Sequence, residues 1–326
     1  MVRDQILNLL ASHPGEFVSG EVISQGLNLT RAAVWKQIQG LKEAGYRIEA
    51  MTKHGYRLLG TPTSLDEWAL RSVLKTEQFG GKLYLYNELP STNDLAKDLG
   101  KKGGEHGTVV IAQRQTAGHG RMRREWQSPA GGLWMSVVLQ PKLSLADAAK
   151  STLAAGVAVV DGLGEACGFQ AGIKWPNDVV YEGKKLAGIL AEVAGEWTTV
   201  QTIVIGIGLN ANIRREDLGT ELPAVSVQEV LRQPVNLNEL AACILYHLEM
   251  EIRGLELGLF ADLRERWLDR AVGLGQESVV VQGERRFEGV FRGVAEDGRL
   301  VLQVGDENLT FSAAEVRFRS RTGAFY

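Results

Sequence analysis

The sequence predicts an α+β chain of several domains: an N-terminal winged helix-turn-helix, a central mixed α/β domain, and a C-terminal β-barrel of SH3-like size. Three observations predict it. The 326 residues are about twice the size of one domain, so two or three are expected. Helical periodicity at the start gives way to alternating strands and helices. From about residue 273 the pattern becomes short strands broken by glycine and charge. The expected bounds are 1–60, 64–270 and 273–326.

In the first helix Val2, Ile6, Leu9 and Leu10 fall on one face. Ser19 suits the cap of a second helix ending near Gly26, and Thr30 the cap of a third. In the third, Val34, Ile38 and Leu41 face inward and Gly45 closes the helix, leaving Arg31, Lys36, Gln37 and Gln39 outside. Tyr46–Leu59 alternates about the turn Thr52-Lys53-His54-Gly55, as a hairpin does. Helix, helix, helix, ribbon is the order of a module that lays its third helix in the DNA major groove and its wing along the backbone. From Leu27 to Leu59 there are six basic residues against two acidic ones, a local excess on the half that would meet phosphate. Arg31, Lys36, Gln37 and Lys53 are therefore the candidate DNA contacts. A helical protein-interaction domain is the competing reading.

Gly60-Thr61-Pro62-Thr63-Ser64 reads as a breaker-rich linker. Strands are expected at Leu83–Asn87, Thr108–Ala112, Leu133–Leu139, Val179–Tyr181, Leu186–Val193 and Thr199–Ile207. Helices are expected at Leu65–Lys75, Asn93–Gly100, Ala146–Ala166, Leu237–Leu257 and Phe260–Asp269. The barrel strands are Ser278–Val281, Arg286–Val294, Leu300–Val304 and Asn308–Ser312.

Charge is nearly balanced, 36 basic against 39 acidic side chains, so any nucleic-acid partner must be served by a local patch. No apolar run approaches the roughly 18 residues of a membrane span, and no membrane partner is expected. The N-terminus does not resemble a signal peptide. Two isolated cysteines, Cys167 and Cys243, argue against a disulfide framework or zinc site and fit a reducing cytoplasm.

The most unusual segment is Gln113–Trp126: four arginines, a histidine and two glycines precede the first acid, Glu125. Glycine lets backbone approach a ligand, and arginine forks bind phosphate and carboxylate oxygens. Without such a ligand the like charges repel, and a mobile loop is expected. Trp126 offers a flat face for a purine, or simply anchors the loop. Lys185 opens an apolar strand, where an ammonium can reach a carboxylate or phosphate, although an isolated lysine is usually a surface charge. Asn177 and Asp178 are turn residues or ligand contacts; Asp178 can position a magnesium–nucleotide or a basic partner. Gly206-Ile-Gly-Leu-Asn-Ala fits a dinucleotide fingerprint on paper, but no helix follows it. A buried strand ending in small residues, with Asn210 turned toward a nucleotide base, is the better reading. Ser91-Thr92-Asn93 is either a helix cap or a ligand contact.

Taken in order, Ser91-Thr92-Asn93, Gln115-x-x-Gly118-x-Gly120-Arg121 with Trp126, Lys174-Trp-Pro-Asn-Asp178, Lys185-Leu-Ala-Gly-Ile and Gly206-Ile-Gly-x-Asn210 resemble the biotin–protein ligases. The likeness covers essentially the whole chain. Residues 30–36 and 54–58 look like the winged-helix part of the bifunctional members that also repress biotin operons. The resemblance implies a class II synthetase-like catalytic domain and a two-step reaction. Biotin and Mg-ATP give biotinyl-5′-adenylate; a lysine of the biotin carboxyl carrier protein of acetyl-CoA carboxylase then takes the biotinyl group. The magnesium arrives with ATP, so no resident metal is implied. Biotin is both substrate and precursor of the co-repressor, and the adenylate would favour a homodimer on operator DNA.

By motif, Ser91, Thr92, Asn93 and Gln115 would meet biotin, and Gly118, His119, Gly120 and Arg121 would close over biotin and the phosphates. Lys185 would pair with the carboxylate and the acyl-phosphate, making Arg121 and Lys185 the catalytic pair. Trp126, Asn177 and Asn210, with Arg121, would hold ATP. Relatives usually read Gly-Arg-Gly-Arg where this chain has Gly118-His119-Gly120-Arg121. If that arginine acts through its backbone, His119 changes little. If its guanidinium matters, loop closure weakens and becomes pH-dependent, since histidine is the residue type that titrates near neutrality. A lipoate or octanoate ligase, a ligase without repressor activity, and a non-catalytic acid sensor are the alternatives.

Overall fold

The computed structural model describes residues 2–318 except 142, 197–198, 219–222 and 313. The end of the expected barrel domain, 319–326, lies outside the described residues. Contacts group the chain into two compact units, one reaching Val73 and including Asn236–Asn238, the other holding the rest.

The first unit contains α1 (Val2–Ala11), α2 (Gly20–Gly26), α3 (Arg31–Glu43), β1 (Arg47–Met51), β2 (Gly55–Gly60) and α4 (Glu67–Val73). Ser19 Oγ accepts from Val22 N and Thr30 Oγ1 from Ala33 N, each at 3.1 Å, so both expected caps form. Ile6, Leu7, Leu10, Ile23, Val34, Ile38 and Leu41 make the core. The expected face of α1 is corrected by one residue: Leu7 is buried while Val2 and Leu9 are only partly so, because the helix is packed on a stripe wider than one row. β1 and β2 pair antiparallel. At the first residue of β2, Gly55 has φ +115°, and a Cβ there would lie 2.0 Å from Val18 O, so only glycine fits.

The expected linker is instead held in place. Asn238 Nδ2 donates to Pro62 O at 3.0 Å and Ser64 O at 2.9 Å, and Leu237 N donates to Thr63 O at 2.9 Å. Asp66 accepts from the Tyr46 hydroxyl at 2.6 Å, caps Ala69 N at 3.1 Å and pairs with Arg3. Burial alone would raise the Asp66 pKa, but these donors together hold it below the usual 3.8. A carboxyl depressed by folding stabilises the native state above its unfolded pKa and loses that contribution as pH falls through the folded value. Asp66→Asn should therefore cost about 1.5–3 kcal/mol at pH 7. In urea titrations of the two proteins, the gap should close below about pH 4. A gap that does not vary with pH would mean the carboxylate charge is not what matters.

The second unit is built on a seven-stranded sheet of order β3-β4-β5-β9-β8-β7-β6, parallel only between β3 and β4. Its strands are β3 (Leu83–Leu89), β4 (Thr108–Gln115), β5 (Leu133–Leu139), β6 (Gly172–Lys174), β7 (Asp178–Tyr181), β8 (Lys184–Glu196) and β9 (Thr199–Leu209). The helices are α5 (Thr92–Lys101), α6 (Leu145–Ala148), α7 (Ser151–Cys167), α8 (Val227–Leu231), α9 (Leu237–Glu256) and α10 (Phe260–Asp269). The expected single helix over 146–166 is broken in two around Ala149-Lys150.

Side chains alternate between the two sheet faces, and this decides where ligands can sit. Ser136 and Gly206, which are register partners, face α5 through Asn93. Ile189, one position out of phase with Gly188, meets α7 at Gly156. One face is thus closed by α7, and the other carries α5. All seven residues of β5 are buried, which explains its unbroken apolar run apart from Ser136.

A five-stranded antiparallel sheet ends the chain, in order β13-β12-β11-β10-β14. Its members are β10 (Glu277–Gln282), β11 (Arg285–Val294), β12 (Leu300–Val304), β13 (Glu307–Phe311) and β14 (Glu315–Phe318). Val280, Phe291, Leu302 and Phe318 form its core. The sequence pattern misses β6 and β14, which are too short to show a period. No helix among the described residues is long and apolar enough to cross a membrane.

Candidate functional site

The open face of the large sheet has a glycine floor. Gly188 of β8 and Gly208 of β9 are paired, and the Trp126 indole lies against both. A Cβ on Gly188 would be 2.9 Å from the ring, and one on Gly208 would be 2.8 Å from Trp126 Nε1. The indole N–H is buried with no hydrogen-bond partner among the described residues.

Lys185 reaches this floor because of a bulge. Val179 pairs with Ala187 but Val180 pairs with Lys185, so Leu186 is an extra residue in β8. Strict alternation would send Lys185 to the α7 face; the bulge returns it to the face of Gly188 and Asp178. Its Nζ lies 2.7 Å from Asp178 Oδ1 and 4.9 Å from the Trp126 ring centroid. Both members of the ion pair are about a quarter exposed, so an anion can compete with Asp178 for the ammonium.

The arginine–glycine segment folds back on itself. Trp126 N donates to Gly118 O at 2.9 Å, Gly120 N donates to Arg124 O at 2.8 Å, and His119 bridges Glu125. At its tip Met122 and Arg123 have φ +56° and +57°. The segment is thus drawn as a hairpin. Gly118 has no space for a side chain, since a Cβ would sit 2.5 Å from Ser128 Oγ. Arg121 donates to Asn177 Oδ1 at 3.3 Å, and Asn177 Nδ2 donates to Ile189 O at 2.9 Å. The His119 ring turns toward α5, with Nε2 3.9 Å from Asp94 Oδ1 and 3.3 Å from Arg123 Nη1.

Behind the hairpin runs a buried polar chain. Gln115 Oε1 accepts from Thr92 N at 2.8 Å, and Gln115 Nε2 donates to Ser128 Oγ at 2.9 Å. Ser136 Oγ lies 2.8 Å from Thr92 Oγ1 and 2.7 Å from Asn93 Oδ1; its single proton serves one of them at a time. Asn93 Nδ2 donates to Glu192 Oε2 at 2.8 Å, whose other oxygen takes Lys97 Nζ at 3.1 Å. Burial lowers the Lys97 pKa, but its bonds to Asp94 and Glu192 more than offset this and raise it. Burial likewise pushes Asp94 upward, and Lys97, His119 and Arg123 together bring it below the ordinary value.

The sequence candidates thus meet unequally. Ser91 caps α5, accepting from Asp94 N at 3.3 Å. Pairwise contacts link Thr92 to Gln115, Gln115 and Trp126 to the Gly118 backbone, Trp126 to Lys185, and Arg121 to Asn177. Asn93 is turned inward, with both ends of its amide engaged. Asn210 is also buried, its Nδ2 donating to Val225 O at 3.3 Å and Lys185 O at 3.5 Å. Asp178, Ser128, Ser136 and Glu192 complete the arrangement, and the sequence reading did not name the last three. Ser136 stands alone in an apolar strand, a signal that such a residue needs a polar partner.

In the first unit Arg31, Lys36 and Lys53 are exposed, while Gln37 is half-buried on the flank of α3. Arg31 is paired with Glu21 at 2.8 Å, an exposed contact that costs little to exchange for phosphate.

Known proteins resemble the chain along most of its length. Residues 85–210 match the biotin/lipoate A/B protein ligase family, 2–57 an HTH domain, and 273–319 the biotin protein ligase C-terminal domain. The bifunctional ligase/repressor BirA of Bacillus subtilis is 37% identical over 308 residues, covering 94% of this chain and 95% of that protein. A biotin–[acetyl-CoA-carboxylase] ligase of Paracoccus denitrificans is 36% identical, covering 64% of this chain and 89% of its own. Among solved structures, the Aquifex aeolicus biotin protein ligase in complex with biotin and ATP aligns with a TM-score of 0.64 at 26% identity, over 73% of this chain and 99% of that one.

Proposed function

Because the chain belongs to the family of the bifunctional ligase/repressor BirA, we infer that it is an ATP-dependent biotin–protein ligase whose N-terminal domain makes it a biotin-responsive repressor. We take its functional parts to be 1–60, 64–270 and 273–326, with α4 grouping with the first by contacts. The observation that carries the catalytic reading is the bulge that brings Lys185 beside Trp126 on the glycine floor.

A biotin carboxylate oxygen attacks the α-phosphorus of ATP, the bond to the bridging oxygen breaks, and pyrophosphate leaves with its electron pair. Two anions meet in this step, so fixed cations must offset their repulsion and the charge building at phosphorus. Lys185 can leave Asp178 for the carboxylate, and Arg121 can leave Asn177 for the phosphates. Trp126 serves as a stacking surface for adenine, bordered by Asn177. Ser91, Thr92 and Gln115 hold the biotin head group, with Asn93, Ser136 and Glu192 fixing their orientation. Asn210 keeps the end of β9 in place beneath the nucleotide. His119 acts through its backbone in the hairpin, since its ring is turned to Asp94. In the second step a neutral carrier lysine attacks the acyl carbon, AMP departs, and the nitrogen loses its proton to give the amide. The hairpin keeps water from the anhydride meanwhile. Positioning supplies the rest, with no enzyme nucleophile required.

The carrier is the biotin carboxyl carrier protein of acetyl-CoA carboxylase, and the site of action is the cytoplasm, where carrier and operator DNA are both found. Labelled biotin should pass to a carrier domain only when ATP is present, and pyrophosphate release should follow biotin but not lipoate. Release with lipoate alone would move the enzyme to the lipoate branch. The adenylate also favours a homodimer, which requires that it bind the dimerising state better. Sedimentation should show self-association rising with biotin plus ATP; an unchanged monomer would remove this form of regulation.

A further inference from the structure

The N-terminal half of α3 carries an aromatic side chain that the core does not use. Val34, Ile38 and Leu41 are buried, whereas Trp35 is 58% exposed. At 100° per residue, Trp35 shares the outer surface with Ala32, Lys36 and Gln39. Arg31 and Lys36 flank it on the helix, and Lys53 projects from the hairpin turn. An indole carries a large apolar area, so leaving it in water within a cationic surface is unfavourable until something covers it. Trp35 lies in the N-terminal half of the helix, the part that in this module meets base edges. The only apolar group on a base edge in the major groove is the thymine 5-methyl.

We propose that Trp35 reads duplex DNA by packing its indole on a thymine methyl group in the major groove. This rests on the DNA-binding reading of the N-terminal domain and adds a specificity determinant to it. Phosphate contacts from Arg31, Lys36 and Lys53 set position and carry no sequence information; the indole supplies discrimination. A second copy of the chain is the other occupant an exposed indole could have, but Lys36 beside it, and Arg31 once it exchanges Glu21 for phosphate, favour a polyanion.

The full-length protein, with biotin and ATP present, is used to enrich binding duplexes from a random-sequence pool. Each thymine of the enriched duplex is then replaced in turn by deoxyuridine, which removes only the methyl. Expected is one thymine per half-site at which this change weakens the parent protein about three- to tenfold, as loss of one buried methyl implies. Trp35→Ala should bind the parent duplex at least about tenfold more weakly and be indifferent to that replacement, with Trp35→Phe between them. Far-UV circular dichroism establishes that the variants are folded. If no deoxyuridine position matters to the parent protein, methyl reading is overturned. If Trp35→Ala instead abolishes self-association without DNA, the indole belongs to a protein contact. If the parent protein enriches no duplex at all, the DNA-binding reading itself fails, a result distinct from the other two.

Discussion

Lys185→Ala should lower adenylate formation by about 10²–10³-fold while leaving the fold intact, measured as pyrophosphate release in single turnover. The size follows from what the ammonium faces. Its Cε would lie 3.5 Å from a Cβ on Gly188, and its Nζ is held 2.7 Å from Asp178 beside Trp126. Removing it leaves the Asp178 carboxylate facing the space proposed for the biotin carboxylate and the triphosphate. Repulsion then adds to the missing stabilisation, and the effect should appear in the rate of chemistry more than in biotin affinity. Lys185→Arg keeps the charge but not the point geometry and should recover only part of the rate. Asp178→Asn separates the two contributions: it removes the repulsion, so Lys185→Ala/Asp178→Asn should be faster than Lys185→Ala alone. A Lys185→Ala enzyme with the parent rate would take the residue out of the reaction.

Much of this arrangement is legible in the sequence, but for uneven reasons. The arginine–glycine segment stands out because few structural roles need that composition, and it does form the hairpin over the floor. Lys185 was legible as a cation opening an apolar strand. The bulge at Leu186 that gives it the correct face was not, because a bulge leaves no mark on a local apolar pattern. Ser136 looks like a small residue in a buried run, and only its pairing opposite Gly206 brings it to Asn93. The bonds that hold the linker are hidden for a similar reason. Pro62 and Ser64 read as breakers, yet Asn238, far along the chain, satisfies their carbonyls. Local propensity finds helices and caps; it does not see bonds made across such separations.

The glycine floor gives the second large effect. Gly208→Val should raise the KM for ATP about tenfold or more and change biotin binding much less. Valine suits a strand, and no positive φ reserves the position for glycine, so β9 should keep its pairing with β5 and β8. What has to give is Trp126: the new Cβ would lie 2.8 Å from Nε1 and 2.9 Å from Cε2. The indole must lift or turn, and a base stacked on it loses its platform, a contact usually worth about 1–3 kcal/mol. Lifting the ring also separates it from Lys185, so the ammonium loses its aromatic neighbour while keeping Asp178. Gly206→Val makes the contrasting case on the same strand. There a Cβ would be 2.2 Å from Asn93 Oδ1, breaking the polar chain behind the biotin side. Its damage should fall on biotin affinity, with ATP less affected. Equilibrium titration of each ligand into both variants resolves the two sides of the site. If Gly208→Val leaves ATP binding unchanged, Trp126 is an anchor for the hairpin and the nucleotide base lies elsewhere.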